Sequence, residues 1–161
     1  MYHTQEKWDL QITYPIICED PEAWLGKAYY FWYTVDDAHY WGITMKRKRK
    51  YFEVYQAQIN CDNLLDTVFN EGHYLFWLKN IEKALKRFAK ANITASLTVI
   101  NEYFKDNKIW TKFDGIMFQD IPTNPNKYVI PKFYYVKRIQ VGVFNENIIS
   151  NFVLRYDCVC T

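Results

Sequence analysis

Residues 28–33 read Ala-Tyr-Tyr-Phe-Trp-Tyr, an aromatic run without a single charge or turn former. A run this short and this continuous does not alternate, so it reads as a strand buried on both faces. Whatever the chain folds into must cover that strand from each side. Glycine offers little relief, with 5 in 161 residues, and neither GxxxxGK[ST] nor GxGxxG occurs. Phosphate-cradling loops of the P-loop and Rossmann kinds are therefore excluded.

The rest of the chain supplies candidate neighbours. A short opening strand is expected at 2–4, followed by a weak helical period over 5–13 through Trp8 and Ile12. Pro15 and Pro21 mark a loop region. Thr34 reads as an N-cap, with Asp36 and Asp37 in the first turn of a helix over 35–45 that carries Ala38, Trp41 and Met45 on one stripe. Residues 51–60 alternate and read as a strand. From 62 to about 107 the pattern is helical: Tyr74, Leu75, Leu78, Ile81, Leu85 and Phe88 recur at three- and four-residue steps, and 93–104 forms a second, shorter helix. Strands are expected at 113–118, 132–144 and 152–159, with a turn-rich loop at 122–126. This order predicts one α+β domain over 1–161, with strands at both ends and a helical insert at about 62–107.

Half the residues are hydrophobic and 19% are aromatic, which excludes a disordered chain and suits a cleft lined by tyrosine and tryptophan as well as a core. A net charge of +2 does not by itself imply nucleic acid or an anionic membrane, although Lys46-Arg47-Lys48-Arg49-Lys50 is an unbroken cationic run. That run reads as a solvated helix-to-strand corner or as a contact to pyrophosphate or an acidic target. Cys18, Cys61, Cys158 and Cys160 lack the spacing of a zinc site, so no metal is expected and they read as reduced, mostly buried thiols. His39 and His73 have no partner at useful spacing and read as structural. The opening residues lack the features of a secretory signal and no apolar run reaches about 20 residues, so a soluble, cytoplasmic protein without a membrane partner is expected.

Four ordered segments carry chemistry. Leu25-Gly26-Lys27-Ala28-Tyr29-Tyr30-Phe31-Trp32 is followed by Asp36-Asp37-Ala38-His39-Tyr40-Trp41. Tyr2-His3-Thr4 opens the chain, Phe113-Asp114-Gly115-Ile116 lies beyond the helical block, and Gln140-Val141-Gly142-Val143-Phe144-Asn145 precedes Ile148. Together they resemble, in order, the NAD-binding core of the ADP-ribosyltransferase superfamily, in particular its diphtheria-toxin and poly(ADP-ribose) polymerase branch. The resemblance spans nearly the whole chain and implies a divergent member with a split antiparallel sheet core and NAD as substrate.

On that resemblance, Tyr30 and Trp41 are the aromatic walls that hold nicotinamide, with Tyr29 as a further candidate. His3 contacts the adenine-side ribose, Thr4 lies near the carboxamide, and Gln140 contacts the nicotinamide ribose. Tyr2, Gly26, Lys27 and Ala38 complete the implied binding set. The chain departs from the pattern in two informative places. Thr4 follows His3 directly, where the family places a glycine, and Gln140 stands where a glutamate is usual. Glutamine can orient a hydroxyl but is neutral and cannot act as a general base. The resemblance thus implies mono-ADP-ribosyl transfer to a protein or nucleic acid, with chain elongation disfavoured. The alternatives are a degenerate NAD- or ADP-ribose-binding module and an aromatic-rich interaction domain. Glu146 is near in sequence to Gln140 but lies past the strand.

Overall fold

In a computed structural model of the chain, which describes residues 1–20, 23, 25–45, 50–120, 128–130, 134–135 and 137–159, the aromatic run forms β2 (Tyr29–Trp32) near the middle of a sheet. Its cover is divided as its composition demands. Phe31 belongs to the core cluster on one face, with Val141, Val143 and Met117, and Trp32 to the cluster on the other, with Ala38, Phe52 and Val54. Tyr29 and Tyr30 are only half-buried, so the strand is sealed at its C-terminal end alone.

The strands β1 (Tyr2–Glu6), β2, β3 (Tyr51–Ile59), β4 (Leu64–Asp66), β5 (Gly115–Asp120), β8 (Arg138–Val143) and β9 (Ile149–Val159) make one seven-stranded sheet in the order β4-β5-β8-β2-β1-β3-β9. The short β6 (Tyr128–Ile130) and β7 (Tyr134–Tyr135) pair with each other. All pairings in the large sheet are antiparallel except β4 with β5. With the helices α1 (Val35–Met45), α2 (Glu71–Lys90) and α3 (Leu97–Asp106), the architecture is the mixed α+β arrangement expected from the element order.

The sheet has one weak seam. β1 follows β3 through five register pairs and β2 follows β8 through four, yet β1 and β2 meet at the single pair Tyr2↔Trp32. Beyond that pair the two strands diverge.

Local chemistry explains where α1 starts. The Thr34 hydroxyl oxygen accepts from the Asp37 N–H at 3.2 Å while the hydroxyl donates to the Asp37 carboxylate at 2.8 Å, a reciprocal cap of the first turn. Ala38 and Gly42 face the sheet. Trp41 packs beside them, whereas Met45 is exposed.

Several expectations are corrected. No helix forms over 5–13: Gln5 and Glu6 continue β1 because β3 offers ladder partners, and the Lys7 N–H reaches the Tyr51 carbonyl at 3.0 Å. The helical block does not begin at 62. Leu64 and Leu65, both buried, form β4 beside β5, and the helix starts only where the Asn70 side chain accepts from the His73 N–H. The second helix starts at Leu97, capped by Ser96 rather than opening at 93. On α2 the inward stripe is Trp77, Ile81, Ala84 and Phe88, with Phe76 beside it, and Tyr74, Leu75 and Leu85 are exposed. Cys18 and Cys158 are half-buried and Cys61 is exposed, so none of these three free thiols is buried as expected. Cys160, the loop at 122–126 and Lys46–Arg49 of the basic run lie outside the described residues; Lys50 is exposed. Among the described residues, no helix is long and apolar enough to cross a membrane.

The packing of α1 on the sheet yields a direct test. A Cβ on Gly42 would collide with the edge of the Phe52 ring, which is fully buried. Gly42→Ala is expected to lower unfolding stability by about 1–3 kcal/mol, even though alanine gains about 1 kcal/mol over glycine in a helix. Urea unfolding checks this, and a midpoint equal to or above wild type would contradict the packing.

Candidate functional site

The divergence of β1 from β2 opens a cleft of about 700 Å³. That size falls within the ordinary range for a small-molecule site. Strand alternation decides what enters it. The pairs Tyr2↔Trp32, Tyr30↔Gly142 and Trp32↔Gln140 put Tyr30, Trp32 and Gln140 on the face that α1 covers, together with Thr4. Tyr29 and Phe31 take the opposite face. The cleft is lined by His3, Thr4, Tyr30, Trp41 and Gln140, residues drawn from three adjacent strands and one helix.

Each of these side chains is held by identifiable contacts. His3 is buried, and its Nδ1 lies 2.9 Å from the Tyr30 carbonyl, bridging the two strands just where they part. Its ring rests between Phe31 and Phe152, at centroid distances of 5.6 and 6.0 Å. The Tyr30 hydroxyl donates to the Gly26 carbonyl and accepts from the Leu25 N–H, both at 3.0 Å. These bonds fix a turn in which Gly26 has φ +65°, the left-handed region that glycine adopts without strain. Burial pushes the Tyr30 phenol up to about 12; Cys18 and Asp20 add to the rise and the Leu25 N–H bond opposes it.

Trp41 packs on Trp32 at 5.6 Å between ring centroids, and the Arg138 guanidinium lies 4.6 Å from the Trp32 ring and 5.8 Å from that of Tyr40. Arg138 stands two residues before Gln140 on the same face of β8 and also lines the cleft. Trp32 and Arg138 were not anticipated as site residues. The signal for both was the period of two: Trp32 is two residues from Tyr30 and Arg138 two from Gln140. The same period brings in Glu6, two residues from Thr4 on β1, whereas for Cys18, Asp20 and Trp8, which also line the cleft, the sequence carries no comparable signal.

The other expected residues stand apart from the lining. Tyr29 turns to the far face, where its hydroxyl donates to the Glu146 carboxylate at 2.9 Å and its ring meets Tyr14 edge-on. Glu146 is thereby directed away from the cleft. Ala38 is fully buried and its carbonyl accepts the Thr4 hydroxyl at 2.8 Å, so that hydroxyl proton is committed to α1. Lys27 is exposed and paired with Glu19 at 2.6 Å, Tyr2 packs with the α1-side core, and Gly26 supports Tyr30 from the turn. His39 and His73 hold structural bonds, to the Tyr156 hydroxyl and from the Asp66 N–H.

The Asp-Gly segment anchors the sheet at a distance from the lining. The Asp114 carboxylate accepts from Asn145 at 2.7 Å and from Asn63 at 3.0 Å, and these bonds, Asn145 first, hold its carboxyl below the usual range. A Cβ on Gly115 would strike the Gly142 carbonyl, so the close approach of β5 to β8 requires glycine there.

The Tyr30 shift has a definite consequence for stability. A phenol whose folded pKa lies above its unfolded value of about 10 contributes stability that is fully present below pH 10. That contribution is lost as pH rises through about 12. Tyr30→Phe is expected to shrink this alkaline loss and to lower stability at neutral pH by about 1–2 kcal/mol, because the Leu25 and Gly26 bonds disappear. Urea unfolding at pH 7 and over the alkaline range reads both effects, and a wild-type alkaline slope in the variant would refute the assignment.

No protein-family model, curated protein or solved structure matches the chain. What it does must be read from the cleft itself.

Proposed function

We propose that the protein is a mono-ADP-ribosyltransferase of a divergent ADP-ribosyltransferase-like fold, with the cleft between β1 and β2 holding NAD as substrate. The observation that carries this reading is convergence. His3, Thr4, Tyr30, Trp41 and Gln140, separated by up to 137 positions in the chain, line one cleft of suitable size. The four strands bearing the resembling segments, β5, β8, β2 and β1, are also consecutive in the sheet, which parts at the seam between β2 and β1.

The chemistry follows from the lining. The bond between nicotinamide nitrogen and the ribose anomeric carbon breaks, and nicotinamide leaves with the electron pair. An acceptor nucleophile then bonds to that carbon and gives up its proton. The walls at Tyr30 and Trp41 offer flat surfaces for nicotinamide, and the Gln140 amide orients a ribose hydroxyl beside the reacting carbon. Since Gln140 brings no charge, stabilisation of the cationic transition state is weaker than a carboxylate would give. His3, fixed by the Tyr30 carbonyl and packed between Phe31 and Phe152, braces the strand edges at the cleft from the far face of the sheet. The acceptor is a protein or a nucleic-acid group.

A second reading, an NAD- or ADP-ribose-binding module without turnover, is favoured by one observation: the carboxylate nearest in sequence to Gln140, Glu146, is engaged on the opposite face. NAD labelled in its adenine moiety separates the two. Nicotinamide release abolished by His3→Ala and Tyr30→Ala, and raised at least about tenfold by Gln140→Glu, is the expected result. NAD binding without release in wild type would leave the binding module, and neither binding nor release would end both readings.

A further inference from the structure

The α2–α3 hairpin carries a charge asymmetry that the cleft does not use. Between 71 and 112 there are eight Lys and Arg against four Asp and Glu, so this segment holds +4 while the whole chain holds +2, leaving −2 elsewhere. Lys79, Lys83, Lys86 and Lys90 recur at steps of four, three and four residues, which places them in one line along α2. All four are exposed, as is Arg87, whose guanidinium lies 5.7 Å from the Tyr103 ring of α3. The opposite side of α2 is the packed one.

Among the described residues none of these cations has an ion-pair partner, in contrast to Lys7, held by Asp157, and Lys27, held by Glu19; Glu82 is the lone acid within the lysine line. Like charges three and four residues apart destabilise a helix. At about 1.5 Å per residue the line extends over about 16 Å. A ligand that relieves the repulsion must present several negative charges in a comparable row.

We infer that the outer face of α2 is a docking surface for single-stranded nucleic acid, with the phosphate backbone following the lysine line. Nucleic acid supplies regularly spaced charge, about one per 3.4 Å along each strand. An anionic lipid surface is the competing occupant, because Leu75 and Leu85 are also exposed. Leu75 stands one turn before Lys79 on the same line, but it is a single leucine followed by four lysines, and Leu85 lies on one flank, so the outer face has no continuous apolar edge aimed at acyl chains. This surface does not depend on what the cleft binds; if the cleft transfers ADP-ribose, it favours a nucleic-acid acceptor over a protein.

The test uses the whole chain and a fluorescently labelled single-stranded RNA or DNA roughly 20 nucleotides long. Affinity is followed from about 50 to about 200 mM salt. Four neutralised phosphates predict a slope of log affinity against log salt near −3. Combining Lys79→Glu, Lys86→Glu and Lys90→Glu is expected to weaken binding at least about tenfold and flatten the slope. Glutamine at the same positions, which removes charge without adding any, is expected to act in the same direction more mildly. Arg155→Glu, on exposed β9, leaves affinity unchanged. Absence of binding at low salt, or wild-type affinity in both lysine sets, overturns the inference. So does lysine-dependent binding to phosphatidylserine vesicles without binding to the oligonucleotide. Nicotinamide release is read separately and fails or succeeds on its own.

Discussion

A single backbone pair, Tyr2↔Trp32, joins the two halves of the sheet, and the geometry of the cleft depends on it. On one side β1 is fixed to β3 and β9; on the other β2 is fixed to β8 and β5. Had β1 and β2 continued in register, Thr4 would lie against Tyr30 and no cavity would exist. An open seam in a sheet leaves strand edges unsatisfied and is costly unless other groups take their place. Here His3 does part of that work, because its ring nitrogen meets the Tyr30 carbonyl that a β1 backbone group would otherwise have met. The histidine thus has a structural place at the seam whatever the cleft binds.

The same economy governs Tyr30. Its hydroxyl holds the turn at Leu25 and Gly26, and that turn places Leu25 against Gly142, where any Cβ would collide with the leucine side chain. Tyr30 therefore connects the wall of the cleft to the floor strand β8 that also carries Gln140. Asp114 performs the equivalent service one strand further on, tying Asn63 before β4 to Asn145 after β8. The segments at β2, β5 and β8 are thus physically linked.

What the sequence makes legible follows from which forces are local. The cap at Thr34 and the helix to Met45 are local, set by a hydroxyl, two aspartates and a stripe, and they stand at the expected residues. The α2 stripe is not, because two adjacent apolar lines run along that helix and only the position of α3 selects Trp77, Ile81, Ala84 and Phe88 over Tyr74, Leu75 and Leu85. The pattern at Leu64 and Leu65 suits a helix equally well until β5 is present to accept a parallel edge strand. The cleft shows the same division. Its residues on alternating strand positions, Glu6 among them, are readable from motif and period, whereas Cys18 and Asp20 enter through the path of the loop before β2, which no local pattern encodes.

The electrostatics of the cleft bear most directly on chemistry. With glutamine at 140, a positive charge developing on a ribose in the cleft would find no carboxylate on the strand beside it. Glu146 cannot swing in without giving up its bond from Tyr29, and it extends from the far side of the sheet. The carboxylates that line the cleft, Glu6 and Asp20, come from the opposite wall. Arg138, stacked on Trp32, adds a cation to the Gln140 wall. The cleft is therefore polarised across its width, acidic toward β1 and the loop before β2, basic toward β8. A ligand with a cationic reacting centre and an anionic remainder has a preferred direction in such a field. A cationic centre held in the cleft is thus drawn toward Glu6 and Asp20, across the width from Gln140.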